Sequence, residues 1–244
     1  MANSASDENE LILAAYLRWG EIGPRTVWHA MRTVAPEAAE AYRRELGWRE
    51  FSRYLLRHFP TLPEENFQPK FDRFPWQADD AALERWQRGR TGIPIVDAGM
   101  RELWHTGWMH NRVRMIVASL LTKNLGIHWL EGARWFWDTL VDADLANNSM
   151  GWQWTAGCGA DAAPFFRIFN PVSQSERFDP QGLYIRKWVP ELENLPDKAI
   201  HAPWLQKSEI LEHAGIRLGE DYPKPIVDLK ETRKLALEQW GKIK

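Results

Sequence analysis

The chain has 244 residues and a formal net charge of -2, enough for one large domain or two modest ones with an ample core. That charge excludes a uniformly basic nucleic-acid binder, so any nucleic acid would have to meet a local patch. A lone cysteine, Cys158, excludes a disulfide framework and a cluster held by four thiolates.

Helical signals dominate from the start. Asp7 followed by Glu10 approaches a capping box, after which Leu11, Ile12, Ala15 and Trp19 recur at helical spacing until Gly20. Pro24 suits the first turn of a second helix through Trp28 and Met31. A long amphipathic helix is predicted from about Glu37 to His58, closed by Pro60. Residues 61–78 are proline-rich and read as irregular. Further helices are expected at 79–88, 94–106, 110–125 and 130–141. The stretch 142–172 reads as part loop and part short helix, with short helices near 184–188 and 206–214 and a last one at about 228–242. Strand alternation is scarce, and no repeat, low-complexity tract or linker interrupts the chain. The expectation is one all-α domain over 1–244, residues 1–10 a flexible lead-in, with helices packed around a buried pocket. No signal-peptide pattern or membrane-length apolar run is present, so a soluble, cytoplasmic protein is expected.

Fifteen tryptophans far exceed an ordinary share of roughly one residue in a hundred; core filling accounts for most. Asp142 and Asp144 stand two apart, with no histidine at helical or turn spacing, which disfavours a metal site and leaves a solvated acidic loop as the plain reading. Glu45 and Trp48 share one helical face, as do Asn111 and Met115, and Trp154 follows Trp152 by two. These too could be ordinary amphipathic helices. Arg49, Arg112, Arg114, Lys123, Arg167, Arg177, Arg186 and Lys187 cluster around these blocks, where most isolated basic residues are simply surface charges.

The blocks GRTGIPIVDAGMR, GWMHNRVRM and GWQW, within Phe74 to Pro171, are too long and too odd in composition for generic helical core. They resemble the FAD-binding helical domain of the photolyase/cryptochrome family, above all the class I photolyases that repair cyclobutane pyrimidine dimers. The resemblance runs from about Leu17 to Val227 and implies a multi-helix domain that binds FAD, without the family's N-terminal α/β antenna domain. It implies that Arg49, Trp108, Arg114, Asp142, Asp144 and Asn148 contact the cofactor, with Asp142 pairing with Arg114 and Arg49 meeting the phosphates. Asn148 would face the flavin N5, where an amide can donate or accept. Trp152, Trp129 and Trp76 match the electron-transfer positions, in that order from flavin to surface. Glu45, Trp48, Asn111, Met115 and Trp154 match the pocket for a flipped dimer, with Glu45, Asn111 and Asn148 as the catalytic set. Aromatic walls stack on the extruded bases while a carboxyl and an amide bond their polar edges. Glu45, if buried, would be protonated or hydrogen-bonded and would stabilise the dimer radical anion. Arg112, Arg167 and Gln174 would touch DNA phosphates and sugars.

Asn148, Trp48 and Trp154 favour repair over plant cryptochrome signalling, and Met115 disfavours a 6-4 photolyase. The implied activity is light-driven dimer repair by electron transfer from excited reduced FAD, best on single-stranded DNA, by a monomer. Two departures matter. The α/β domain has no counterpart; since Met1 stands a few residues before a capped helix, a naturally short protein is expected, with a truncated chain the alternative. Where the family has Thr-Ser-x-Leu-Ser to hold the flavin pyrophosphate, this chain has Glu10, Leu11, Ile12, Leu13 and Ala14, and acids at a helix start repel phosphate. That departure motivates the alternative of a non-catalytic DNA-binding or blue-light-sensing module with weakened FAD binding.

Overall fold

The computed structural model describes residues 13–161 and 166–243. The capping box at Asp7 and Glu10, the lead-in over 1–10, and the phosphate-loop positions Glu10, Leu11 and Ile12 lie outside the described residues. Leu13 and Ala14 fall in a first helix, α1, residues 13–19. It ends at Gly20 (φ 79°), whose left-handed backbone turns the Glu21 and Ile22 amides back onto the Tyr16 carbonyl at 2.9 and 3.3 Å. Then come α2 (Pro24–Ala30), the 23-residue α3 (Pro36–His58), α4 (Asp80–Gln87) and α5 (Pro94–Thr106). Helices α2, α3 and α5 each begin on proline, whose missing N–H costs nothing in a first turn. After α5 follow α6 (Asn111–Ser119), α7 (Trp129–Thr139), α8 (Leu145–Ala156), α9 (Pro171–Phe178) and α10 (Leu183–Trp188). Helices α11 (Asp197–Ile200), α12 (Ser208–His213) and α13 (Leu229–Gly241) complete the order. The short α9 and α11 were not among the expected helices. The expected 110–125 helix is present but widens at Leu120–Asn124 into a π turn whose five residues are all buried. Among the described residues there is no strand, only two isolated bridges.

The core centres on α5, and every residue from Thr91 to Met100 is buried. This explains the composition of the GRTGIPIVDAGMR block. The fully buried Asp97 accepts from the Thr91 N–H and hydroxyl (2.7 and 2.6 Å), the Gly92 N–H (3.0 Å) and the Tyr222 hydroxyl (2.6 Å). One carboxylate thereby ties the turn before α5 to the distant 222 segment. Desolvation pushes the Asp97 carboxyl above its usual range although the bonds from Thr91 and Tyr222 oppose the shift. Glycine is needed at 92 and 99 because a Cβ there would lie 2.4 Å from the Lys224 carbonyl oxygen and 2.3 Å from Val113.

Helix α8 crosses the middle of the molecule, packed against α3, α6 and α7. Ser52 of α3 donates to Asn147 of α8 at 2.5 Å. A second, smaller core of Leu17, Val27 and Leu46, with Leu13, Ile22, Met31 and Tyr42, joins α1 and α2 to the start of α3, apart from the main one.

Candidate functional site

The acidic loop between α7 and α8 is built rather than merely solvated. Asp142 meets Arg114 of α6 through both carboxylate oxygens at 3.2 Å, and Arg114 also donates to the Met109 carbonyl at 2.7 Å. Asp144 caps α8 by accepting from the Asn147 amide (3.0 Å) and holds Arg53 of α3 at 3.1 Å. Asn148 donates through Nδ2 to the Ala133 carbonyl at 2.8 Å. That bond uses one of the two N–H groups of the Asn148 amide, which leaves the second N–H and the oxygen for a ligand. Trp108 is half-buried, its ring edge-on to His110 at 6.2 Å. Arg49 ion-pairs with Glu50 at 2.8 Å and donates to the Leu17 carbonyl at 3.3 Å.

The three matched tryptophans share one wall. A Cβ on Gly132 of α7 would lie 2.1 Å from the Trp152 ring, so that ring rests directly on the helix backbone. Trp129 stands one turn earlier on the same helix, fully buried, its indole N–H on Asn66 at 2.9 Å. His128 touches both Trp129 and Trp76, with ring centroids 5.6 and 4.8 Å away, and burial lowers its pKa. Trp76 is half-buried. Trp152 also meets Phe136 and Trp86 edge-on at 5.0 and 6.1 Å.

The expected lesion residues lie on α3, α6 and α8, of which α8 packs against both of the others. Trp48 of α3 is 39% exposed, Asn111 is exposed, and Met115 and Trp154 are half-buried. Glu45 is exposed rather than buried. Trp154 stacks on Phe169 (6.4 Å, 28°). Phe169 in turn lines a cleft of about 400 Å³ shared with Arg112, Arg167, Gln174, Arg177 and Phe178. The cleft thus gathers all three residues expected to contact DNA. It adds Arg177, which together with Arg112 stacks on Phe178, guanidinium carbons 5.1 and 4.5 Å from the ring centre. Such stacking fixes a planar cation while leaving its donors for phosphate. Gln174 Oε1 is buried there without a hydrogen-bond partner. An orphan acceptor needs an N–H or O–H, which a base edge has and a phosphodiester lacks. Arg177 was missed as a site residue because its charge resembled its neighbours'; Phe178 one position on was the signal.

Other basic residues belong to the frame. Arg186 bonds the Glu193 and Leu195 carbonyls at 3.0 and 2.6 Å and Asp197 at 3.0 Å. Lys123 is buried, donates to the Ala156 carbonyl and lies 3.2 Å over the Phe166 ring. Burial holds its amine well below the ordinary value and pushes the Cys158 thiol up to about 12.

Residues 42–242 match the family model for the FAD-binding domain of DNA photolyase. The chain belongs to the photolyase FAD-binding family. It is 52% identical to a deoxyribodipyrimidine photo-lyase of Agrobacterium fabrum over 96% of this chain and 50% of that protein. It is 43% identical to cryptochrome-2 of Arabidopsis thaliana over 92% of this chain and 38% of that one. A crystal structure of a bacterial class III photolyase from Agrobacterium tumefaciens superposes with a TM-score of 0.91 at 52% identity, over 95% of this chain and 49% of that one. The chain therefore spans about half the length of the curated photolyases it matches. That structure is of class III, whereas the sequence blocks resemble class I photolyases above all.

FAD is the cofactor of this family's domain, and the residues at the site suit it. Arg114, Asp142, Asp144 and Asn148 supply two acids, a guanidinium and an amide at half-buried positions on α6, α8 and the loop between α7 and α8. Gly47 of α3 and Gly151 of α8 leave bare backbone where an added Cβ would meet nothing within 4 Å. Glycine within a helix costs about 0.5–1 kcal/mol relative to alanine, and the protein's own packing does not require it at either place.

Proposed function

We propose that this domain performs light-driven repair of cyclobutane pyrimidine dimers in DNA, as a monomer in the cytoplasm, with single strands the better substrate. The observation that carries the reading is that one helix, α8, serves both halves of the chemistry. It presents Asp144 and Asn148 beside the acidic loop, buries Trp152 against α7, and two residues later turns Trp154 toward the arginine-lined cleft. FAD, bound and reduced, supplies an electron on absorbing blue or near-ultraviolet light.

Each side chain then has a role. Asn148 offers an amide, donor and acceptor, at a fixed place, and the Arg114–Asp142 pair braces the loop. Trp48 and Trp154 stack on the extruded bases while Glu45 and Asn111, at the solvent-facing edge, bond their polar rims. Arg112, Arg167 and Arg177 neutralise phosphates, and Gln174 takes a donor from a base. Trp129 and Trp76 carry the path from Trp152 outward. Extruding a base costs least where it is already unpaired, which favours single strands.

The test is loss of dimers from oligonucleotides bearing one thymine dimer, single-stranded and duplex, under light and in the dark with FAD-loaded protein. Light-dependent loss, faster on the single strand, is expected. Equal rates on both would remove the strand preference; no loss in light would remove the repair reading. A second reading, a DNA-binding or light-sensing module without repair, is favoured by Arg49, which faces its own chain through Glu50 and Leu17. It predicts retention of DNA with no light-dependent change in dimers.

A further inference from the structure

We propose that the last turn of α1 is a strap across the FAD site, with Arg18 and Trp19 as positioning residues that hold the Asp142 loop. The proposal rests on the FAD reading above. Arg18 Nε donates to the Ala143 carbonyl, and Trp19 Nε1 donates to the Val141 carbonyl at 3.0 Å. The two carbonyls that flank Asp142 are therefore gripped by two adjacent side chains from more than a hundred residues earlier. From the other side, the Val141 amide donates to the Gly107 carbonyl at 2.9 Å. The loop is clasped between α1 and the end of α5, and its Asp142 carboxylate faces Arg114.

The same turn also reaches the other end of the site. The Leu17 carbonyl accepts from Arg49 Nη2 at 3.3 Å, and Arg49 is the residue matched to the flavin phosphates. Residues 17, 18 and 19 thus touch both the candidate ring end and the candidate phosphate end. Their hold is polar rather than hydrophobic. Trp19 is 66% exposed, with the Arg18 guanidinium 4.9 Å from its ring, and the apolar contacts of α1 go to the small core of Leu17, Val27 and Leu46. An indole so exposed is placed by its N–H bond more than by burial. Each such bond has a modest net energy, because water could replace it. Its effect is on position: Asp142 stays where Arg114 and a ligand meet it.

The experiment uses the full chain loaded with FAD. Arg18→Met removes the donor and keeps the stem; Trp19→Phe removes the N–H and keeps a ring; Arg18→Lys restores a donor. FAD release is followed by the rise of free-flavin fluorescence, the bound environment by visible circular dichroism, and the FAD-free fold by its melting midpoint. In the Arg18→Met/Trp19→Phe protein, FAD should leave about tenfold faster, the factor that goes with losing one to two hydrogen bonds. Its dichroic band should change, while the FAD-free protein melts close to wild type. Arg18→Lys should release FAD more slowly than Arg18→Met. Release at the wild-type rate with an unchanged band overturns the strap, as does Arg18→Lys behaving like Arg18→Met. If the double variant does not fold, Trp19→Phe alone is judged by the same readings. A wild-type chain that takes up no FAD overturns the FAD reading itself.

Discussion

Gly132→Ala should damage the tryptophan wall by one methyl group. The new Cβ would sit 2.1, 2.4 and 2.6 Å from Cη2, Cζ3 and Cζ2 of Trp152. Ordinary contact begins near 3.4 Å, so the ring must retreat from 2.1 Å to at least that distance. It has little room to do so: Trp152 is 3% exposed, with Phe136 and Trp86 already edge-on at 5.0 and 6.1 Å. Overpacking of this kind costs about 1–3 kcal/mol, and a clash with a buried indole belongs at the upper end. Alanine's better helix propensity returns up to about 1 kcal/mol. The net loss is about 2 kcal/mol, a fall of roughly 4–8 °C in melting temperature for a domain of this size. Gly151→Ala is the matched control. Nothing lies within 4 Å of its Cβ, so the FAD-free protein should melt slightly higher, while FAD uptake falls if the ring system lies there. Both are read by thermal unfolding of FAD-free protein. A Gly132→Ala protein that melts at or above wild type would refute the claim that Trp152 rests on that backbone.

In Asp97→Asn, the amide nitrogen must face the backbone N–H of either Thr91 or Gly92; urea unfolding should show a loss of about 1–3 kcal/mol, and an unchanged midpoint would count against the network. Burial holds the Lys123 amine below the unfolded value of 10.5, so its contribution to stability is complete above that value and is lost as pH falls through the folded one. The stability of wild type relative to Lys123→Met should accordingly grow between about pH 7 and about pH 9.5, and a flat difference would refute it. Arg112→Gln should weaken binding to single strands of any sequence and lower the slope of log affinity against log salt by about 0.7, as titrations at several salt concentrations would reveal.

What the sequence made legible was mostly local. Helices α3, α5 and α13 lie within a residue or two of where proline, glycine and apolar spacing placed them, because those signals act within a turn or two of the chain. The π turn at Leu120–Asn124 did not announce itself, since its burial on all sides depends on α13 and α8, far off in sequence. Candidate residues were legible by resemblance, and their partners were not. That Asn148 bonds the Ala133 carbonyl, that Arg49 turns to Leu17, and that Lys123 is buried rather than a surface charge are facts of packing between distant segments. The cleft shows the same limit: Arg112 and Arg177 come together only because both flank Phe178.

The separate small core under α1 and α2 gives the molecule two thresholds of opening. Leu17, Val27 and Leu46 bury far less apolar surface than the cluster around α5, and regions with few buried contacts open at a fraction of the global free energy. Amide hydrogens of α1 and α2 should therefore exchange with deuterated solvent well before those of α5, α6 and α8, and a protease should cut the lobe first. The loop that carries Asp142 leans on this lobe, so the least durable part of the protein sets how long its most elaborate part stays assembled.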